Sequence, residues 1–96
     1  MKMHNPPHPG EFIKEVYLNE LHISEREVAK KLKVSPSTLN RLIKAQSSLT
    51  PEMALRLSIT LGRTPQSWLS MQNNYSLWIA RKELNLDDVE KLKISA

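Results

Sequence analysis

The side chains equipped for chemistry crowd into one stretch, Ser24 to Lys44, SEREVAKKLKVSPSTLNRLIK. From Arg26 to Lys44 the basic residues are Arg26, Lys30, Lys31, Lys33, Arg41 and Lys44, against the single acid Glu27. Within SPSTLNRLIK, Leu39, Leu42 and Ile43 follow the i, i+3, i+4 spacing of a buried helix stripe. Ser37, Thr38, Asn40, Arg41 and Lys44 are left outside, all able to hydrogen-bond to base edges or phosphates. Ser37 and Arg41 are four apart and project from one face, opposite the stripe, which suits that face to the major groove. An arginine there matches guanine O6 and N7 bidentately. Taken alone, the stretch also fits a solvated helical hairpin in any small α-helical domain. Nothing resembles an enzyme: no HExxH, P-loop or GxGxxG occurs, and no Ser/His/Asp arrangement is suggested. The chain has no cysteine, which excludes disulfides, thiol catalysis and zinc-finger chemistry. His4 and His8 bracket Pro6 and Pro7, which forbid a shared helix face, and no acid or cysteine completes a ligand set. No metal or cofactor is expected.

Two short helices must position these residues, and each carries its own start signal. Ser24 lies three residues before Glu27, the capping-box spacing, with Ile23 and Val28 as a hydrophobic staple. Ser35 caps the second helix, Pro36 takes its first position, and Val34 with Leu39 form the staple. Two capped helices three residues apart suggest a helix-turn-helix. Lys33, between them, stands where a left-handed glycine is preferred.

The rest of the chain reads as further helices around one core, all that 96 residues support. Residues 1–8 should be an extended arm. Pro9 opens a first helix with Ile13, Val16, Tyr17 and Leu21 as its apolar stripe and Leu18 off it, ending near Glu20. Thr50 and Pro51 start a fourth helix and Gly62 follows its end. Met53, Ala54, Leu57 and Leu61 form its stripe, with Leu55 and Ile59 broadening it toward cover on two sides. Thr64 and Pro65 start a fifth, along which Trp68, Met71, Tyr75 and Trp78 recur, with Ile79 beside them. That aromatic stripe either completes the core within one chain or packs partly against a second copy. Residues 1–82 thus form the helix-turn-helix domain and 83–96 a tail. Asn85 with Asp88 could cap a last short helix there, with Leu86, Val89 and Leu92 as its stripe. The net charge of +4 fits an anionic partner modestly, and its concentration in one stretch says more. No apolar run approaches the roughly 20 residues of a membrane span, and no signal peptide opens the chain. A cytoplasmic location is expected.

The segments HNPPHPGEF, SPSTLNRLI, LTPEMALRLSITLG and PQSWLSMQNNYSLW together resemble the HigA-type antitoxins, a branch of the XRE, phage-repressor-like helix-turn-helix family. The resemblance covers His4 to Arg81. It implies an all-α, five-helix domain, a homodimer on a palindromic double-stranded operator, repression of its own operon, and neutralisation of a cognate toxin resembling RelE-type mRNA endonucleases. It places base reading at Pro36, Ser37 and Arg41, with Thr38 and Asn40 flanking, and Pro36 limited to an apolar contact. Ser24 and its first-turn amides fall where that family meets the phosphate backbone. Ser35, Lys30 and Lys44 complete the expected DNA contacts, and Trp68, Met71, Tyr75, Trp78 and Ile79 the dimer face. The family pattern usually has glycine where Lys33 stands and Asn-Gly where Lys44 and Ala45 stand. An acid is common where Ser76 stands. Two other functions fit the residues: a transcription regulator without a toxin, and a protein-interaction module using the helices as scaffold.

Overall fold

Every helix opens where a side chain catches an orphan backbone amide. In the computed structural model, which describes residues 5–94, the chain forms helices α1 (Pro9–Phe12, continuing as a π-helix over Ile13–Asn19), α2 (Glu25–Leu32), α3 (Pro36–Ile43), α4 (Pro51–Thr60) and α5 (Pro65–Glu83). No strand occurs among the described residues. Ser24 Oγ accepts from the Glu27 amide at 3.1 Å and Ser35 Oγ from the Thr38 amide at 3.1 Å. Thr50 Oγ1 accepts from Met53 at 3.2 Å and Thr64 Oγ1 from Ser67 at 3.0 Å. All four are N-caps of the predicted kind, and α3, α4 and α5 each carry proline in the first turn.

The core gathers one face of each helix. Ile13, Leu39, Ala54, Leu57 and Trp68 are fully buried, and Val28, Ala29, Leu32 and Leu42 are nearly so. Helix α1 crosses α3 so closely that a Cβ on Gly10 would lie 1.8 Å from the Leu42 carbonyl oxygen, a contact only glycine permits. Lys33 adopts the left-handed conformation expected at the turn (φ 61°, ψ 41°), and Arg56 of α4 donates to the Leu32 carbonyl at 2.8 Å, satisfying the end of α2. Ala45 is also left-handed (φ 58°), in the place where the family's glycine is usual.

Four expectations need correction. Leu18 is buried, whereas Val16 and Leu21 are 40% and 58% exposed. A 3.6-residue template misplaces them because Ile13–Asn19 is π-helical, with i→i+5 bonding, so Ile13 and Leu18, five apart, share the inner face. Leu55 and Ile59 do not broaden a buried stripe: they are 56% and 86% exposed, on a side of α4 turned away from its contacts with α2 and α5. Trp68, expected in the dimer face, is fully buried within the chain, with its Nε1–H donating to the Gly62 carbonyl at 2.9 Å. Beyond Glu83, the last residue of α5, the tail forms no helix over its described residues; Asn85 Oδ1 accepts from the Asp87 amide in a local turn, and Leu86, Val89 and Leu92 are exposed. His4 lies outside the described residues. No described helix is long and apolar enough to cross a membrane.

Candidate nucleic-acid interface

Helix α3 has eight residues, and its three buried side chains fix which way the other five point. Leu39, Leu42 and Ile43 lock it onto α1 and α2. Ser37, Arg41 and Lys44 then share the outward face; all three are exposed, and among the described residues their side chains make no hydrogen bond or ion pair within the chain. Exposed polar groups with unspent hydrogen-bonding capacity are what base-edge and phosphate contacts require. Pro36, exposed beside them, offers only carbon.

The flanking residues are already engaged. Thr38 Oγ1 and Ser35 Oγ hydrogen-bond to each other at 2.9 Å, and Ser35 also caps the helix. Asn40 Nδ2 donates to Glu25 Oε1 at 3.0 Å, tying the middle of α3 to the first turn of α2. Ser24 Oγ accepts from Glu27 and so keeps its own proton to donate to an oxygen ligand. Its position is exposed; Arg26 stands beside it with Glu25 and Glu27 in the first turn of α2, while Lys30 and Lys31 place their charge in the last turn. Ser24, Lys30 and the α3 row therefore belong to one connected helical pair.

Away from this face, α5 carries a second candidate surface. Met71, Tyr75, Trp78 and Ile79 are half-buried along it. A groove runs beside Tyr75, Ile79 and Ala80, walled on the other side by Ala45, Gln46 and Ser47 of the loop after α3. Lys82 Nζ sits 4.1 Å from the Trp78 ring centre, covering one face of the indole.

Three polar residues with structural roles escape a reading of the sequence. His8, expected in an extended arm, is only 4% exposed; its Nδ1 accepts from the Gly10 amide at 3.0 Å and its ring meets Tyr75 edge-on at 4.9 Å. Burial lowers its pKa from the ordinary 6.5, against the opposing effects of the Ser47 backbone and the Glu11 carboxylate. Gln72 is buried one turn beyond Trp68; its Oε1 accepts from the Leu49 amide at 2.8 Å and its Nε2 donates to Ser76 at 3.0 Å. An amide at a buried register of α5 is a readable signal. Glu25 has none, since its partner lies fifteen residues away in the next helix.

Comparison with known proteins agrees with this geometry. A helix-turn-helix family model matches residues 13–68. An uncharacterised HTH-type transcriptional regulator of Escherichia coli K12, YddM, is 45% identical over 92 residues, covering 96% of this chain and 97% of that protein. Among solved structures, the antitoxin GraA superposes with a TM-score of 0.87 at 32% identity, over 94% of this chain and 100% of that one. The Pseudomonas aeruginosa antitoxin HigA, solved with the higBA promoter, gives a TM-score of 0.75 at 32% identity, over 88% and 99%. The chain belongs to the XRE-type helix-turn-helix family, in the branch of the HigA antitoxins.

Proposed function

We propose that this protein is the antitoxin of a toxin–antitoxin pair, a homodimer that represses its own operon and neutralises a RelE-like mRNA endonuclease. The observation that carries the DNA half is the outward row of Ser37, Arg41 and Lys44, exposed and without a partner among the described residues, on a helix whose other face is locked in the core. Ser24 and Lys30 on α2 hold the phosphate backbone while α3 lies in the major groove, and Arg41 reads guanine. A relative solved on a promoter supports this use of the fold. The half-buried side chains Met71, Tyr75, Trp78 and Ile79 on α5 supply the dimer contact, and a two-fold dimer calls for a palindromic site.

Footprinting on the region upstream of the gene tests the repressor half. The expected result is two symmetric protected half-sites about 10 bp apart, one turn of duplex. Protection of a single half-site, or none, contradicts the dimeric repressor. Co-expression with the adjacent gene product tests the antitoxin half: rescued growth and a stable co-purified complex are expected. A neighbour that is harmless alone, or that does not associate, removes the toxin and leaves a DNA-binding regulator.

A further inference from the structure

Asn40 stands at the edge of the outward face of α3, on the side that meets α2. Its side chain is held: Nδ2 donates to Glu25 Oε1 at 3.0 Å, and both residues are half-buried. A carboxylate only accepts, so it faces the amide NH₂ and never the amide carbonyl. The bond therefore selects one of the two orientations an asparagine amide can take. What Asn40 keeps for another molecule is one N–H and the Oδ1 oxygen, a donor and an acceptor. Adenine alone among the bases offers the complement in the major groove, an N7 acceptor beside an N6 donor; guanine there presents two acceptors. Glu25 makes no ion pair among the described residues, and its carboxylate sits in the first turn of α2, where the helix dipole favours a negative charge. A carboxylate on a phosphate-facing surface weakens binding to any duplex. Glu25 thus works against general DNA affinity while setting the aim of a neighbouring base-reading group.

We propose that Glu25 is a positioning residue that locks the Asn40 amide to read adenine at one base pair of each half-site. The proposal rests on the DNA-binding reading above. Selection from randomised duplexes with the intact protein defines the preferred site, and affinities are then measured for each single-base replacement, as ratios to random duplex so that general charge effects cancel. The wild type prefers adenine at one position per half-site by about 5- to 150-fold, and Asn40→Ala abolishes that preference. Glu25→Ala loses about 2- to 12-fold of the same preference, the worth of one hydrogen bond. Glu25→Gln loses less of it than Glu25→Ala, because Gln Oε1 still accepts from Asn40, although Gln Nε2 can also donate to the flipped amide, which a carboxylate forbids. Both Glu25 variants bind random duplex more tightly than the wild type. An unchanged preference in Asn40→Ala or in Glu25→Ala overturns the proposal, as does a loss in Glu25→Gln equal to that in Glu25→Ala, or a preference there for another base. A wild type that selects no site overturns the DNA-binding reading itself, a result separate from any pattern among the variants.

Discussion

Two surfaces among the described residues differ in kind. The outward row of α3 is polar and cationic, on a short helix capped by Ser35 and anchored by the fully buried Leu39. The far half of α5 and the tail set apolar side chains among charged ones: Tyr75, Trp78 and Ile79 are half-buried, and Leu77, Leu84, Leu86 and Val89 are 50% exposed or more. A surface proposed to read bases must hold its groups in register before the ligand arrives, and the buried Leu39, Leu42 and Ile43 give α3 such a frame. A surface that completes itself by association needs area rather than aim, and half-buried aromatics supply area. On the proposed function, one small fold separates a polar face for recognition from a face rich in apolar side chains for assembly.

The largest effect is expected where both faces share support. Trp68→Ala empties a fully buried site beneath α5 and should cost about 3–5 kcal/mol, a large part of the roughly 5–15 kcal/mol that holds a domain together. Urea unfolding measures it, and a loss under about 1 kcal/mol contradicts the placement of Trp68 in the core. Trp78→Ala strikes the apolar face alone. It should raise the dimer dissociation constant about 30-fold, the worth of ~2 kcal/mol at an interface centre, while leaving a folded monomer. Sedimentation equilibrium decides this; an unaltered dimer removes Trp78 from the interface.

His8 joins the two regions, since it meets Tyr75 of α5 and Ser47 in the loop after α3. Its pKa is lowered in the folded state, so the unfolded chain takes up the proton first. The stability contributed by neutral His8 is complete above pH 6.5 and is lost as pH falls from there toward the lowered folded value. Thermal melts from pH 7.5 to 5 should show this decline, and His8→Asn, which keeps a cap acceptor without titrating, should flatten it. A variant with the same pH slope as the wild type excludes His8 as the source. The smallest effect is expected at Ala45, whose left-handed φ of 58° strains a residue with a Cβ. Ala45→Gly should gain about 0.5–1 kcal/mol and raise the melting temperature by a few degrees, with no change in oligomeric state.

The same contrast explains what the sequence could disclose. Helices α2 and α3 were legible because their signals are local: Ser24 and Ser35 sit three residues from the amides they accept, and the stripe of α3 keeps a helical period. Left-handed Lys33 was legible for the same reason, as the residue that must fill a three-residue turn. Leu18 was not, because a π-helix changes the period and nothing in the order of side chains announces it. Leu55 and Ile59 misled because apolar character alone does not say whether another helix reaches that side. Glu25 and Asn40 meet only after α2 and α3 are docked, so their bond belongs to tertiary structure.

The central claim, that α3 reads sequence through its outward row, rests most directly on Arg41. Binding of Arg41→Ala to operator and to random duplex, measured side by side across a salt series with Lys30→Ala as reference, tests it. Arg41→Ala should weaken operator binding about 5- to 150-fold more than random-duplex binding and relax preference at one base pair in each half-site. Lys30→Ala should weaken both alike and flatten the salt slope by about one unit, as loss of a phosphate contact does. If Arg41→Ala lowers operator and random affinity equally and leaves the base preference intact, Arg41 meets only phosphate, and the reading of sequence by this face is contradicted.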